Sequence, residues 1–245
     1  MPHLAKATAL ILKSIAFKES DLIVTALTSE AGCLSLIAKG ARRAKSRFGA
    51  ALDLLTMSEL VYYDRPQLKL LSQADILTAY LHLKADYDRL QLALRAARRL
   101  LLLQHEGGGR DGASFSLFSD LLARLDQGPV KEPGLYELAF KLKLAQVMGV
   151  APRFDRCAGC GAPLQGALWF SVERGGIIGK ECQARQRTAR LGKPLDPGSA
   201  KGLQMALHLP FEKLDRLKLP PELVAQGESL IDRFLAYHLH PLHPQ

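Results

Sequence analysis

Leu22-Ile23-Val24-Thr25-Ala26-Leu27-Thr28, a turn at Glu30-Ala31-Gly32, and Cys33-Leu34-Ser35-Leu36-Ile37-Ala38 form the stretch on which the fold reading rests. Apolar side chains recur at every second position and β-branched residues are frequent, the pattern of strands that put one face on a core. Upstream, Thr8-Ala9-Leu10-Ile11-Leu12-Lys13-Ser14-Ile15 has the same period; downstream, Met57–Tyr63 and Leu68–Ala74 repeat it. Between the third and fourth strands, Phe48–Leu55 is long enough for a short helix or a covering loop. Five short strands interrupted after the third predict a small OB-type barrel over residues 1–79. An SH3-like barrel or an open sheet fits the strand count nearly as well.

From Ala79 the period changes. Leu83, Tyr87, Leu90, Leu94, Ala97 and Leu101 recur at helical spacing and predict one long amphipathic helix over 80–105. Gly107-Gly108-Gly109-Arg110-Asp111-Gly112 ends it, a second helix fits Ser114–Gln127, and a third starts near Pro133 and runs to Gly149. Residues 152–193 lose helical periodicity and become rich in Gly, Cys and Arg, and helices resume over 199–209 and 222–238. The expected class is α+β: an N-terminal OB-fold barrel, then an all-helical domain in two parts, 80–151 and 194–245. A zinc-finger-like cysteine module at 152–193 is inserted between them.

Lys and Arg total 33 against 24 Asp and Glu, a net charge of +9 that attracts polyanions. No apolar stretch approaches the ~18–20 residues that span a bilayer. Met1-Pro2-His3-Leu4-Ala5-Lys6 lacks the apolar run of a secretory signal, so a cytoplasmic location is expected. The charge is concentrated in Lys39-Gly40-Ala41-Arg42-Arg43-Ala44-Lys45-Ser46-Arg47, where Lys39, Arg42, Arg43, Lys45 and Arg47 stand with no acid among them. A solvated surface run normally carries counter-charges, and their absence favours a phosphate-binding loop on one rim of the barrel. Gly40, Ala41, Ala44 and Ser46 are small enough to let phosphates approach the main chain. Arg95, Arg98 and Arg99 form a second cluster, equally readable as the charged outer face of a helix. Phe48, Tyr62 and Tyr63 are either stacking platforms for bases or core residues.

Cys157-Ala158-Gly159-Cys160-Gly161 has zinc-knuckle spacing, with Cys182 about where a second pair would begin. Arg185 stands where a fourth thiolate is expected. Three readings stay open. The first is structural zinc held by Cys157, Cys160 and Cys182 with a fourth ligand from elsewhere, such as Glu181 or His208. The second is a metal-free knuckle packed on Trp169, Phe170 and Ile177. The third is a catalytic zinc site, for which no H-x-E or H-E-x-x-H pattern supplies a base. Arg187 and Arg190, which follow the third cysteine, extend the basic surface or solvate a hairpin. Gly175-Gly176-Ile177-Ile178-Gly179-Lys180 is better read as a hairpin turn than as a phosphate cradle. No P-loop, Rossmann fingerprint or G-x-S-x-G elbow occurs and the acids are dispersed, so a non-catalytic binding protein is expected. The rivals are a zinc-ribbon RNA-processing enzyme and an adaptor that bridges only proteins.

These residues carry a resemblance. Ala7-Thr8-Ala9-Leu10-Ile11-Leu12, Ser20-Asp21 before the second strand, the basic run at 39–47, and Cys157-Ala158-Gly159-Cys160-Gly161 with Gly175-Gly176 and Cys182 together resemble the RecO family of bacterial recombination mediators. The resemblance covers essentially the whole chain and departs from the family's four-cysteine pattern at Arg185. It implies binding of single- and double-stranded DNA, annealing of complementary strands, and loading of RecA onto strands coated with single-strand-binding protein. It also implies partnership with RecR, with RecF in the wider pathway, and a nucleoid-associated location.

Overall fold

The computed structural model describes residues 3–66, 68–103, 112–185 and 194–239. The chain divides into two compact units, Met1–Pro129 and Val130–Gln245. Among the described residues no helix is long and apolar enough to cross a membrane.

The first unit opens with five strands, β1 (Leu4–Phe17), β2 (Asp21–Thr28), β3 (Gly32–Ala38), β4 (Met57–Tyr63) and β5 (Lys69–Thr78). They close into a barrel in the order β1-β2-β3-β5-β4, with β1 pairing β4. This is the OB-like arrangement, and the closing element is the parallel pair β3–β5, where Leu36 lies opposite Lys69 and Ile37 opposite Leu70. Pairing passes from Ile15 to Ile23, Ile37, Leu70 and Tyr63, then returns to β1 at Leu4. That stagger tilts the strands and closes the barrel. Inside it Ala7, Ala9, Ala26, Ala38 and Ala74 alternate with Ile11, Leu36, Leu60, Tyr62 and Leu71. A short 3-10 helix, Gly49–Leu52, covers one opening with Phe48, Ala51 and Leu52.

Leu10, Leu12 and Leu27 point away from this interior and are also buried. Helices α2 (Tyr87–Leu103) and α3 (Gly112–Gln127) pack over β1, and α3 also over β2, which is why the helices join the barrel in one unit. Each large apolar side chain buried there stabilises the unit by about 1.5–3 kcal/mol. The single helix expected over 80–105 is interrupted. α1 (Leu81–Ala85) ends at Asp86, whose extended backbone restarts the chain. The Asp86 carboxylate accepts the Arg89 N–H at 3.1 Å and its carbonyl accepts the Leu90 N–H at 2.9 Å, an N-cap for α2. The restart changes which face is buried. Leu92, Ala93, Ala96, Ala97 and Leu100 line the core, whereas Tyr87, expected on the apolar stripe, is 74% exposed.

In the second unit α4 (Pro133–Val147) is buried on most of its surface between α6 (Pro197–His208) and α7 (Pro221–Leu239). Asp196 caps α6 by accepting the Ser199 N–H. The cysteine module lies between α4 and α6. Its hairpin, β6 (Leu168–Ser171) and β7 (Gly176–Gly179), leads into the short helix α5 (Lys180–Ala184). Phe154 packs tilted on Phe170, and Phe170 edge-on to Phe234, at 6.1 and 5.9 Å between centroids, fastening the module to α7.

Candidate nucleic-acid interface and cysteine cluster

The basic loop leaves β3 at Ala38 and re-enters the core at Phe48. Within it the Arg43 N–H donates to the Gly40 carbonyl and the Ser46 N–H to the Arg43 carbonyl, at 3.1 and 2.9 Å. Gly40 has φ +71°, a conformation that favours glycine. Its N–H donates to the Asp21 carboxylate at 2.8 Å, and the Arg42 N–H donates to the Ser20 carbonyl at 2.9 Å. The Arg42 guanidinium also reaches the Glu19 and Lys18 carbonyls, at 3.3 and 3.5 Å. The loop is thereby tied to the β1–β2 turn. The Gly40 bond, with help from Ser20, Lys18 and Lys39, holds the Asp21 carboxyl below the usual aspartate range despite some desolvation.

Lys39, Arg42, Arg43, Lys45 and Arg47 are all exposed, and none forms a salt bridge with a described residue. Arg47 lies over the Phe48 ring at 5.0 Å. Their environments differ. Arg42 is committed to the β1–β2 turn, whereas Lys39, Arg43, Lys45 and Arg47 project with no carbonyl partner in the described hydrogen bonds. Two further exposed cations missed by sequence reasoning lie in barrel turns, Lys18 between β1 and β2 and Arg65 between β4 and β5. The signal was available: these are the turns OB folds use to contact oligonucleotides. Among the aromatic side chains, Phe48 and Tyr62 are core residues, because each fills the barrel interior, while Tyr63 is 38% exposed. On α2, Arg95 and Arg98 are exposed and Arg99 is half-buried. Arg187 and Arg190 lie outside the described residues.

In the second unit, Cys157 and Cys160 occupy the knuckle turn and Cys182 the first turn of α5. Their sulfurs all lie within 4.8 Å of one another. The knuckle is set by its backbone. The Gly161 N–H donates to the Cys157 carbonyl at 2.8 Å, the Cys157 N–H to the Ala162 carbonyl at 2.9 Å, and the Ala158 N–H to the Ile177 carbonyl at 2.7 Å. A Cβ on Gly159 would stand 2.9 Å from the Cys182 sulfur, so glycine lets α5 approach the knuckle. Burial raises the Cys157 thiol, but N–H groups of Gly179, Cys160 and Gly159 outweigh it and bring the pKa to about 7. Hydrogen bonding with Cys160 and Cys157 pushes Cys182 up to about 11. The donor set fits a thiophilic metal, since zinc–sulfur bonds of about 2.3 Å place tetrahedral sulfurs about 3.8 Å apart. Among the described residues neither Glu181 nor His208 joins the group. His208 instead lines a groove of about 290 Å³ with Gln146, Arg153, Asp155 and Gln204.

Comparison with known proteins covers nearly the whole chain. Residues 1–80 match the family model described as Recombination protein O N terminal, and residues 84–244 match Recombination protein O C terminal. The chain is similar to the DNA repair protein RecO of Rubrobacter xylanophilus, 34% identical over 209 residues, covering 85% of this chain and 82% of the relative. It is 33% identical to that of Heliobacterium modesticaldum over 234 residues, covering 94% and 83% respectively. It is 30% identical to that of an Anaeromyxobacter species over 245 residues, covering 98% and 93%.

Proposed function

The chain belongs to the RecO family of DNA repair proteins, and on that basis we propose that it is a non-catalytic recombination mediator. In this reading it binds single- and double-stranded DNA, anneals complementary strands, and helps load RecA onto strands coated with single-strand-binding protein. RecR and single-strand-binding protein are its direct partners, RecF acts in the same pathway, and the protein works at the nucleoid.

The observation that carries the reading is the loop of five exposed cations, none in a salt bridge with a described residue, anchored at one barrel rim. Lys39, Arg43, Lys45 and Arg47 contact phosphates, and Arg42 fixes the loop while adding its charge. Lys18 and Arg65 extend the track along the rim. Arg95, Arg98 and Arg99 on α2 form a second contact patch within the first unit; Arg187 and Arg190 of the cysteine module add separate phosphate contacts. Neutralising phosphates on two strands lowers their mutual repulsion and concentrates them locally, so pairing proceeds without a catalytic group. Because phosphate contacts carry no sequence information, the same surface serves any sequence. Cys157, Cys160 and Cys182 would hold a structural zinc that staples the knuckle to α5.

The test is anisotropy of labelled oligonucleotides and annealing of strands precoated with single-strand-binding protein. Arg43→Glu/Lys45→Glu reverses two charges without touching the Asp21 and Arg42 anchors. Both activities fall if the loop is the interface; normal binding at moderate salt by a folded double variant would sink the assignment.

A further inference from the structure

The three sulfurs of the cysteine cluster are joined by no carboxylate or imidazole among the described residues. The sequence that continues from Arg185, residues 186–193, reads Gln-Arg-Thr-Ala-Arg-Leu-Gly-Lys and contains no Cys, His, Asp or Glu. A zinc-type ion takes four donors in a tetrahedron, and a protein that provides three leaves the fourth to a ligand from outside. Access is one-sided. Cys157 is buried against the hairpin, Cys182 is intermediate and Cys160 is exposed. Gly159, whose Cβ would crowd Cys182, has no side chain to cover the cluster.

Charge selects the class of ligand. A dication with three thiolates carries one net negative charge, and within a few residues of the cysteines the exposed cations Arg153, Arg156, Lys180 and Arg185 outnumber the exposed acids Asp155 and Glu181. These cations offset that charge and allow a further anionic donor. Three sulfur ligands also mark the position as one for a soft donor. Arg185 sits three residues after Cys182 at the end of α5, where a residue on a helix shares the face of its i−3 neighbour. In the place of a closing ligand it offers a cation.

We infer that the cluster is a three-thiolate metal site whose fourth donor comes from solution, and that a small thiol, bound as its thiolate, is the ligand it takes. The thiol's sulfur becomes the fourth donor and its proton passes to solvent; nothing is oxidised. The inference rests on the reading that the cysteines hold a metal, and the two fail differently.

The full chain is loaded with Co²⁺, metal content is measured by mass spectrometry, and the spectrum is followed while 2-mercaptoethanol is added. The expected result is one cobalt per chain. Its sulfur-to-metal charge-transfer band should then grow by about one third as three sulfurs become four. Arg185→Cys should show the four-sulfur intensity from the outset and ignore added thiol. A cobalt-loaded chain that does not respond to millimolar thiol overturns the inference while leaving the metal reading intact. A response that appears only after His240→Ala/His243→Ala also overturns it, assigning the fourth donor to the chain's own histidines. Failure to take up cobalt overturns the metal reading and the inference together.

Discussion

The Asp21 carboxylate accepts the Gly40 N–H at 2.8 Å, joining the first residue of β2 to the loop after β3. An acid therefore organises the basic loop from outside it. Because this bond lowers the Asp21 pKa, the anchor is complete above the ordinary aspartate value of about 3.9 and is lost as pH falls through the lower folded value. The Gly40 amide resonance should titrate with that lowered midpoint. In Asp21→Asn the titration should vanish and Gly40–Arg42 amides should exchange faster, with barrel strands unchanged. A Gly40 resonance that ignores pH across this range would show that the bond does not persist in solution.

Phosphate contacts have a salt signature. Each contact to single-stranded DNA contributes about 0.7 to the slope of log affinity against log salt, and each contact to duplex about 0.9. Single alanine substitutions at Lys39, Arg43, Lys45 and Arg47 should each flatten the slope by up to about that amount and weaken all sequences alike. A change confined to one oligonucleotide sequence would instead indicate base readout.

Gly176 has no room for a side chain. Its Cβ would lie 2.4 Å from the Arg153 carbonyl oxygen and 2.8 Å from the Arg153 nitrogen, where the Ile177 N–H donates to that carbonyl. Gly176→Ala should destabilise the second unit by about 1–3 kcal/mol or more, since backbone cannot move aside as a flexible side chain can. Thermal unfolding with cobalt uptake checks it: the transition of the second unit and metal retention should fall, while the barrel transition stays.

Lys141 is buried on α4 and pairs with Glu137 at 3.4 Å and with Asp232 of α7 at 3.1 Å. Lys141→Met exchanges a desolvated charge for an apolar side chain and should change stability by no more than about 1–2 kcal/mol. Glu137→Ala/Asp232→Ala strands the ammonium and should cost about 3–5 kcal/mol. Denaturant unfolding of the two variants should separate them; equal losses would mean that the ion pairs contribute little.

Strand and helix types were legible because their periods differ. Alternation in Leu22–Ala38 marked the hairpin, and Pro133, Asp196 and Pro221 begin helices for local reasons. The break at Asp86 was less visible, since apolar residues continue at helical spacing on both sides; only the cap geometry shows that the register restarts. From sequence Phe48 and Tyr62 were candidate stacking platforms, although a barrel aromatic is more often core, and burial inside the barrel shows them to be core. The sequence marked Cys157, Cys160 and Cys182 as candidate ligands by spacing alone. That their sulfurs lie together depends on the hairpin folding α5 back over the knuckle.

The basic run, its missing counter-charges, the knuckle spacing and the absence of a fourth cysteine at 185 are all properties of composition and order along the chain. They needed no coordinates. Barrel closure did, because the parallel pairing of Leu36 with Lys69 and Ile37 with Leu70 joins strands separated by the whole of β4, and no local period encodes a distant partner. So did the hold of Asp21 on Gly40, a bond between residues nineteen apart. Local chemistry writes the charges and ligands into the sequence; only long-range contacts decide which of them share a surface.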